Sequence, residues 1–337
     1  MAHTELADDA AALRRIFLAL GLAQPDEDVR AVALTGGVSS GIYRVDLASG
    51  RYCVKQALPR LKVAKHWEVP VERVFSEIAW LRAAAAIVPG RVPAVLGEDA
   101  ATQSFVMPFL GDEYRNWKSE LLAGRIDVSL ARFVGDVLGR IHASTADDAE
   151  LAVRFANDAH FHALRLEPYL LECAREHPAL AATLLALVER TASTRRVLVH
   201  GDVSPKNVLA GPHGPVLLDA ECAWFGDPAF DVAFCLNHFL LKAAHLPAHG
   251  RALMNAFHGF AHAYFAHVHW ESPATLQERI ATLLPALALA RIDGKSPVEY
   301  LSRPQRDAVR SHSIALLQQS PTSLETVAVR WALEFAA

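Results

Sequence analysis

The apolar residues of this chain change period once, near Gly111, and that change limits the fold more than any other feature. Before it, Ile42 to Leu47 and Tyr52 to Ala57 alternate across a Ser49-Gly50 turn. Val92 to Leu96 and Ser104 to Leu110 read as further strands around a Glu98-Asp99-Ala100 turn, and Val71 to Ile87 reads as one helix among them. After it, Leu130, Phe133, Val134, Val137, Leu138 and Ile141 define a single helix face. The helical pattern recurs at Phe161 to Ala174, Ala179 to Thr191, Phe230 to Ala243, Ala248 to Val268, Ala274 to Ile292 and Arg306 to Gln318. The spacing predicts an α+β chain. A mixed N-terminal lobe over residues 1–110, a small sheet with one helix packed on it, is followed by a mostly helical C-terminal lobe over 111–337, joined at Met107 to Gly111. A length of 337 residues suits two such lobes better than one small core.

Composition then narrows the class. Net charge is −4 and the pI is near 6.5, which excludes a nucleic-acid partner held by a broad basic surface. Met1 to Leu20 carries Glu5, Asp8 and Asp9 ahead of an amphipathic pattern, where a secretory leader has a basic start and an unbroken apolar core. No apolar run reaches the length of a bilayer, so no membrane partner is expected. Cys53, Cys173, Cys222 and Cys235 form no Cys-x-x-Cys pair, which suits reduced thiols and a cytoplasmic location.

The chemistry concentrates in His200-Gly201-Asp202-Val203-Ser204-Pro205-Lys206-Asn207 and in Val216-Leu217-Leu218 followed by Asp219-Ala220-Glu221. Val197 to Val199 and Val216 to Leu218 read as buried strands, so each carboxylate stands where rigid backbone gives way to a loop. A short strand at Val208 to Ala210 and a turn at Gly211 to Gly214 fit between them, and this hairpin would bring Asp202 and Asp219 to one site. Transfer of a phosphoryl group from a nucleotide needs a carboxylate to orient the attacking hydroxyl and oxygen ligands to hold Mg²⁺. Asp202 suits the first task. Asn207 and Asp219 suit the second, and Glu221 is a further carboxylate for the metal, directly or through water. Lys206 is placed to stabilise the moving phosphoryl group, or is a solvated lysine. His200 suits a hydrogen bond to loop backbone, and Asp231, after Gly226-Asp227-Pro228, suits a brace that accepts backbone N–H groups.

Upstream, Leu34 to Gly41 holds Gly36, Gly37, Val38, Ser39 and Ser40 between two strand-like runs, where glycines let backbone amides approach a phosphate. The same residues suit a plain hairpin turn. Lys55 lies in the apolar strand Tyr52-Cys53-Val54-Lys55, where a buried ammonium needs a partner such as the phosphates of a nucleotide. Glu77 on the following helix could orient it by an ion pair. Met107 and Phe109, in the join, could offer backbone groups to an adenine edge or simply connect the lobes.

His-Gly-Asp-x4-Asn with a downstream Asp resembles the aminoglycoside phosphotransferase and choline kinase superfamily, over roughly Leu34 to Glu299. The resemblance implies a protein-kinase-like bilobal fold, ATP and Mg²⁺. Val54 to Pro59, Trp67, Arg73 through Glu77 and Asp219-Ala220-Glu221 are similar to the corresponding segments of methylthioribose kinases, which implies that Lys62 to Trp67 help cover the nucleotide. Asn207, and one arginine at Ala290-Arg291-Ile292 in place of a sugar-binding pair, depart from that family. The implied activity is transfer of the γ-phosphoryl group to a hydroxyl of a small molecule, a sugar or polyol. The rivals are an aminoglycoside phosphotransferase, a nucleotide-binding regulatory module without catalysis, and a metal-dependent hydrolase using His200, Asp202 and Asp219. The acids after Asp231, namely Glu271, Glu278, Asp293 and Glu299, are scattered for a cationic antibiotic.

Overall fold

The computed structural model describes residues 4–34, 40–59 and 70–336. The chain forms two units, Met1–Tyr114 and Arg115–Ala337. In the first, α1 (Ala10–Ala19), β1 (Ala31–Ala33), β2 (Ser40–Leu47), β3 (Gly50–Ala57), α2 (Arg73–Ile87), β4 (Gly97–Asp99) and β5 (Ser104–Pro108) follow in order. The strands make one antiparallel sheet, β1-β2-β3-β5-β4. Its central hairpin turns at Gly50, whose φ of +149° a side chain would resist. Tyr43, Val45, Tyr52, Val54 and Val106 bury one face against Leu13, Ile16 and Phe17 of α1. The amphipathic pattern before Leu20 is therefore a capping helix of this sheet, with Asp9 accepting from the Ala12 N–H at its start.

One expected strand lies elsewhere. Segment 92–96 is irregular, and the strand is Gly97–Asp99, placed on residues that read as a turn. Pro93 has no N–H to give to a ladder, and only Leu96 reaches across, donating to the Val106 carbonyl at 2.8 Å. Asp99 then accepts from the Thr102 N–H and hydroxyl, which closes the turn after the strand.

The second unit contains β6 (Arg115–Asn116), α3 (Trp117–Leu122), α4 (Val128–Ser144), α5 (Ala149–Arg154), α6 (Asp158–Phe161), a π-helical segment His162–Leu171, α7 (Glu172–Glu176) and α8 (Ala181–Ser193). Then come β7 (Val197–Val199), β8 (Val208–Gly211), β9 (Gly214–Leu217), β10 (Trp224–Gly226), α9 (Pro228–His245), α10 (Gly250–Phe265), α11 (Pro273–Asp293), α12 (Arg303–Gln319) and α13 (Leu324–Phe335). The single helix expected from Phe161 to Ala174 is α6, the π segment and α7. Pro168 lies within it and cannot donate, so the ordinary ladder is interrupted there. α4 packs closely on α10 because Gly135 carries no Cβ, which would stand 2.3 Å from the Phe260 carbonyl oxygen. α9 runs through the centre, and every residue from Pro228 to Ala244 is buried. Such a helix is expected to be apolar all round, yet it carries Asp231, Asn237, His238 and Lys242 inside.

Candidate active site

In the second unit β7 delivers His200, Gly201 and Asp202, and the β8–β9 hairpin returns the chain to Asp219. Gly201 has φ +78°, and a Cβ there would stand 2.6 Å from the Cys222 carbonyl oxygen, so only glycine fits this bend. Two N–H groups of the loop point at one carboxylate: Asp231 accepts from His200 at 2.7 Å and from Gly201 at 2.8 Å. Asp231 is in turn held from behind by His142, whose Nε2 is 3.3 Å away and whose Nδ1 is 2.9 Å from the Tyr264 hydroxyl.

His200 links the two carboxylate-bearing loops. Its Nδ1 accepts from the Asp202 N–H at 3.1 Å, so its Nε2 must carry the proton and donate to the Leu218 carbonyl, also at 3.1 Å. Burial lowers the pKa of this imidazole, more than Asp231 and Asp202 raise it, which keeps the neutral form that these bonds require. Asn207 adds a second link. Its N–H donates to the Ser204 carbonyl, its own carbonyl accepts from the Leu218 N–H at 2.9 Å, and its Nδ2 donates to the Asp202 carbonyl at 3.1 Å. The Oδ1 of Asn207 has no hydrogen-bond partner among the described residues. Asp219 follows at φ +68°, a conformation aspartate tolerates better than most residues and one that collects at functional positions.

The Asp202 carboxylate is not alone. Arg165 reaches its Oδ2 at 2.8 Å and donates to the Gly201 carbonyl, while the half-exposed Lys206 stands 3.3 Å from the same oxygen. Burial works most strongly against the Arg165 charge, but Asp202 together with Cys222, Tyr169 and Glu221 outweighs it and the guanidinium pKa is raised. Lys206 is raised too, chiefly by Asp202. The sequence reading missed Arg165. It lies on the π segment, thirty-seven residues before Asp202, in no motif. Glu221 is buried, and among the described residues no group of three or more His, Cys, Asp or Glu is placed to hold a metal ion. The groups that could meet a cation here are one amide oxygen and separate carboxylates, a hard-oxygen set.

In the first unit Lys55, opposite Ile42 and Phe105 in the sheet, is buried with its Nζ 2.8 Å and 2.7 Å from the two carboxylate oxygens of Glu77 on α2. Ser40 opens β2 and is buried. Gly36, Gly37, Val38 and Ser39, and the segment Lys62 to Trp67, lie outside the described residues. Met107 pairs with Cys53. The Phe109 N–H donates to the Arg51 carbonyl at 3.0 Å, so this donor belongs to the sheet rather than to an adenine edge, and the Phe109 ring lies under the guanidinium groups of Arg44 and Arg51.

Residues 30–274 match the phosphotransferase enzyme family. The methylthioribose kinase of Klebsiella pneumoniae (strain 342) is 27% identical over 274 residues, which cover 73% of this chain and 68% of that one. Among solved structures, a choline/ethanolamine kinase family protein from Mesorhizobium loti superposes with a TM-score of 0.51 at 18% identity, covering 96% of this chain and 98% of that one. The amicoumacin kinase hAmiN superposes at 0.55 and 14% identity, covering 92% and 95%. The fold is therefore α+β and protein-kinase-like, the family implies ATP and a divalent metal ion, and among the described residues no helix is long and apolar enough to cross a membrane. The family match extends over most of the sequence and includes Lys55, Asp202, Asn207 and Asp219: the chain belongs to the phosphotransferase enzyme family, as a small-molecule kinase with an alcohol group as acceptor.

Proposed function

We propose that this enzyme transfers the γ-phosphoryl group of ATP, with Mg²⁺, to a hydroxyl of a sugar or polyol in the cytoplasm. The reading rests on one observation above the others: a single neutral imidazole, His200, ties the Asp202 loop to the strand end that carries Asp219. Asp202 orients the acceptor hydroxyl and takes its proton while the hydroxyl oxygen bonds to phosphorus and the bond to the β-phosphate oxygen breaks. Lys206 offers positive charge to the moving group. Asn207 Oδ1, Asp219 and Glu221 would hold the divalent ion, a hard-oxygen set that fits Mg²⁺ because such sites take one or two carboxylates. Bound there, Mg²⁺ neutralises the charge of the phosphates. Lys55, oriented by Glu77, fixes the α/β-phosphates, and Gly36 to Ser40, Met107 and Phe109 border the nucleotide in an N-terminal nucleotide-binding lobe of residues 1–110. Residues 111–337 form the catalytic and acceptor lobe.

An antibiotic acceptor is disfavoured. Glu271 is paired with Arg279, Asp293 with Arg310 and His177, and Glu299 with Lys118, which leaves little acid for a polycation. Asp202→Asn should lower kcat by about 10²–10⁴-fold while thermal stabilisation by MgATP persists. Turnover at the parent rate would overturn the role of Asp202.

A further inference from the structure

α9 presents one continuous face. Asp231, Phe234, His238, Lys242 and His245 recur at helical spacing along it, beginning under the Asp202 loop. Phe234 meets the Tyr169 ring edge-on and lies under the guanidinium of Arg165, the residue paired with Asp202. His238 is edge-on to Phe234. One turn further, Lys242 is fully buried, and its Nζ has no hydrogen-bond partner among the described residues, only the face of the Tyr300 ring at 5.3 Å. The Nδ1 of His238, itself only 7% exposed, likewise has none. By helix rise, Lys242 lies about 12 Å from Phe234 along the axis.

The surroundings of Lys242 are cationic. Arg291 donates to the Tyr169 hydroxyl and to Ser296, and its Nε is buried without a partner among the described residues. Lys118 and Arg291 both act on Lys242 and on His238, and Lys206 acts on His238 as well. Glu299, a carboxylate that acts on Lys242, is paired with Lys118. A buried ammonium with no anion is costly, and a fold that keeps one beside two more cations holds a place for negative charge. Lys118, Arg291 and Tyr300 are half-buried.

We infer that Lys242, His238 and Arg291 form the recognition site for an anionic group, carboxylate or phosphate, on the acceptor whose hydroxyl is presented to Asp202. The inference rests on the proposed kinase reading and adds the chemical class of the acceptor. It predicts that a neutral sugar is a poor substrate beside its acid or its phosphate.

The test measures ADP formation with matched four- to six-carbon sets, each a polyol, the corresponding aldonate and the polyol phosphate, sorbitol, gluconate and sorbitol 6-phosphate among them. With the parent enzyme the acidic members should exceed the polyol in kcat/KM by about tenfold or more, the scale of one charge-assisted contact. Preference for aldonate or for phosphate decides which anion the site takes. Lys242→Met should erase the preference by raising KM for the acidic members, and Lys242→Arg should retain part of it. Lys242→Met should also raise the unfolding midpoint, whereas a lysine kept for structure would lower it. Equal use of neutral and acidic members, unchanged in Lys242→Met, overturns the anion site and leaves the kinase standing. No turnover of any member, with MgATP still bound, overturns the sugar or polyol reading. In that case gluconate or sorbitol 6-phosphate must still stabilise the parent and not Lys242→Met, or the anion site falls as well.

Discussion

Lys55 and Lys242 are both buried lysines in apolar elements, one on a strand of the first unit and one on a helix of the second, and they are treated in opposite ways. Lys55 is answered by both carboxylate oxygens of Glu77, 2.7–2.8 Å away. Lys242 meets an aromatic face and further cations. Burying a charge is tolerable when its partner is buried with it, so the first lysine is consistent with the fold standing alone, while the second is a local defect. Its position on the face that begins at Asp231 ties the defect to chemistry rather than to folding.

Opposite signs follow for stability. Glu77→Gln leaves Lys55 buried against a neutral amide and should destabilise the protein by about 3–5 kcal/mol, read as a fall in the urea midpoint at constant m. Lys242→Met removes an unanswered charge at nearly constant volume and should stabilise by at least about 1 kcal/mol in the same titration. If both substitutions lower the midpoint, the contrast between the two lysines is broken. A gain from Lys242→Met together with lost acceptor preference would sharpen it, since stability and function then oppose each other at one residue.

Sequence carried the parts of this site that are local. The β8–β9 hairpin was legible because valine and leucine flank a Gly-Pro-His-Gly turn, and Asp231 was legible because it follows Gly226-Asp227-Pro228 at the start of a helix. Arg165 was not, since its meeting with Asp202 depends on a π-helical segment whose interruption at Pro168 no periodicity announces. Lys242 was invisible for a related reason. A single lysine in an apolar helix ordinarily carries its ammonium out to water, and only the packing around α9 shows that this one cannot. The strand misplaced onto 92–96 records the same limit, because apolar residues there suggest a ladder that Pro93 prevents from forming before Leu96. α13, absent from the sequence reading, closes over the core through Val327 and Trp331, whose indole donates to the Leu240 carbonyl on α9.

The smallest effect is in pH. Burial first, then Lys118 and Arg291, push the Lys242 ammonium down to about 7, while Cys235 and Glu299 act weakly the other way. His238, His245 and Tyr300 are the other titratable groups beside it. An unfolded chain returns lysine to its ordinary value, so between about 7 and about 10.4 the unfolded form holds a proton that the folded form has released. Folding is then increasingly favoured as pH rises through that window, by up to about 1.4 kcal/mol per pH unit from this group, and the penalty is constant below it. The advantage of Lys242→Met over the parent should therefore be greatest at pH 7 and below and should shrink steadily toward pH 10. Urea midpoints of the two proteins at pH 6, 7, 8 and 9 measure this directly, and taking their difference suppresses the titration of groups common to both. A difference that stays flat across the window would mean that the Lys242 ammonium is already answered in the folded protein, and the contrast with Lys55 would disappear.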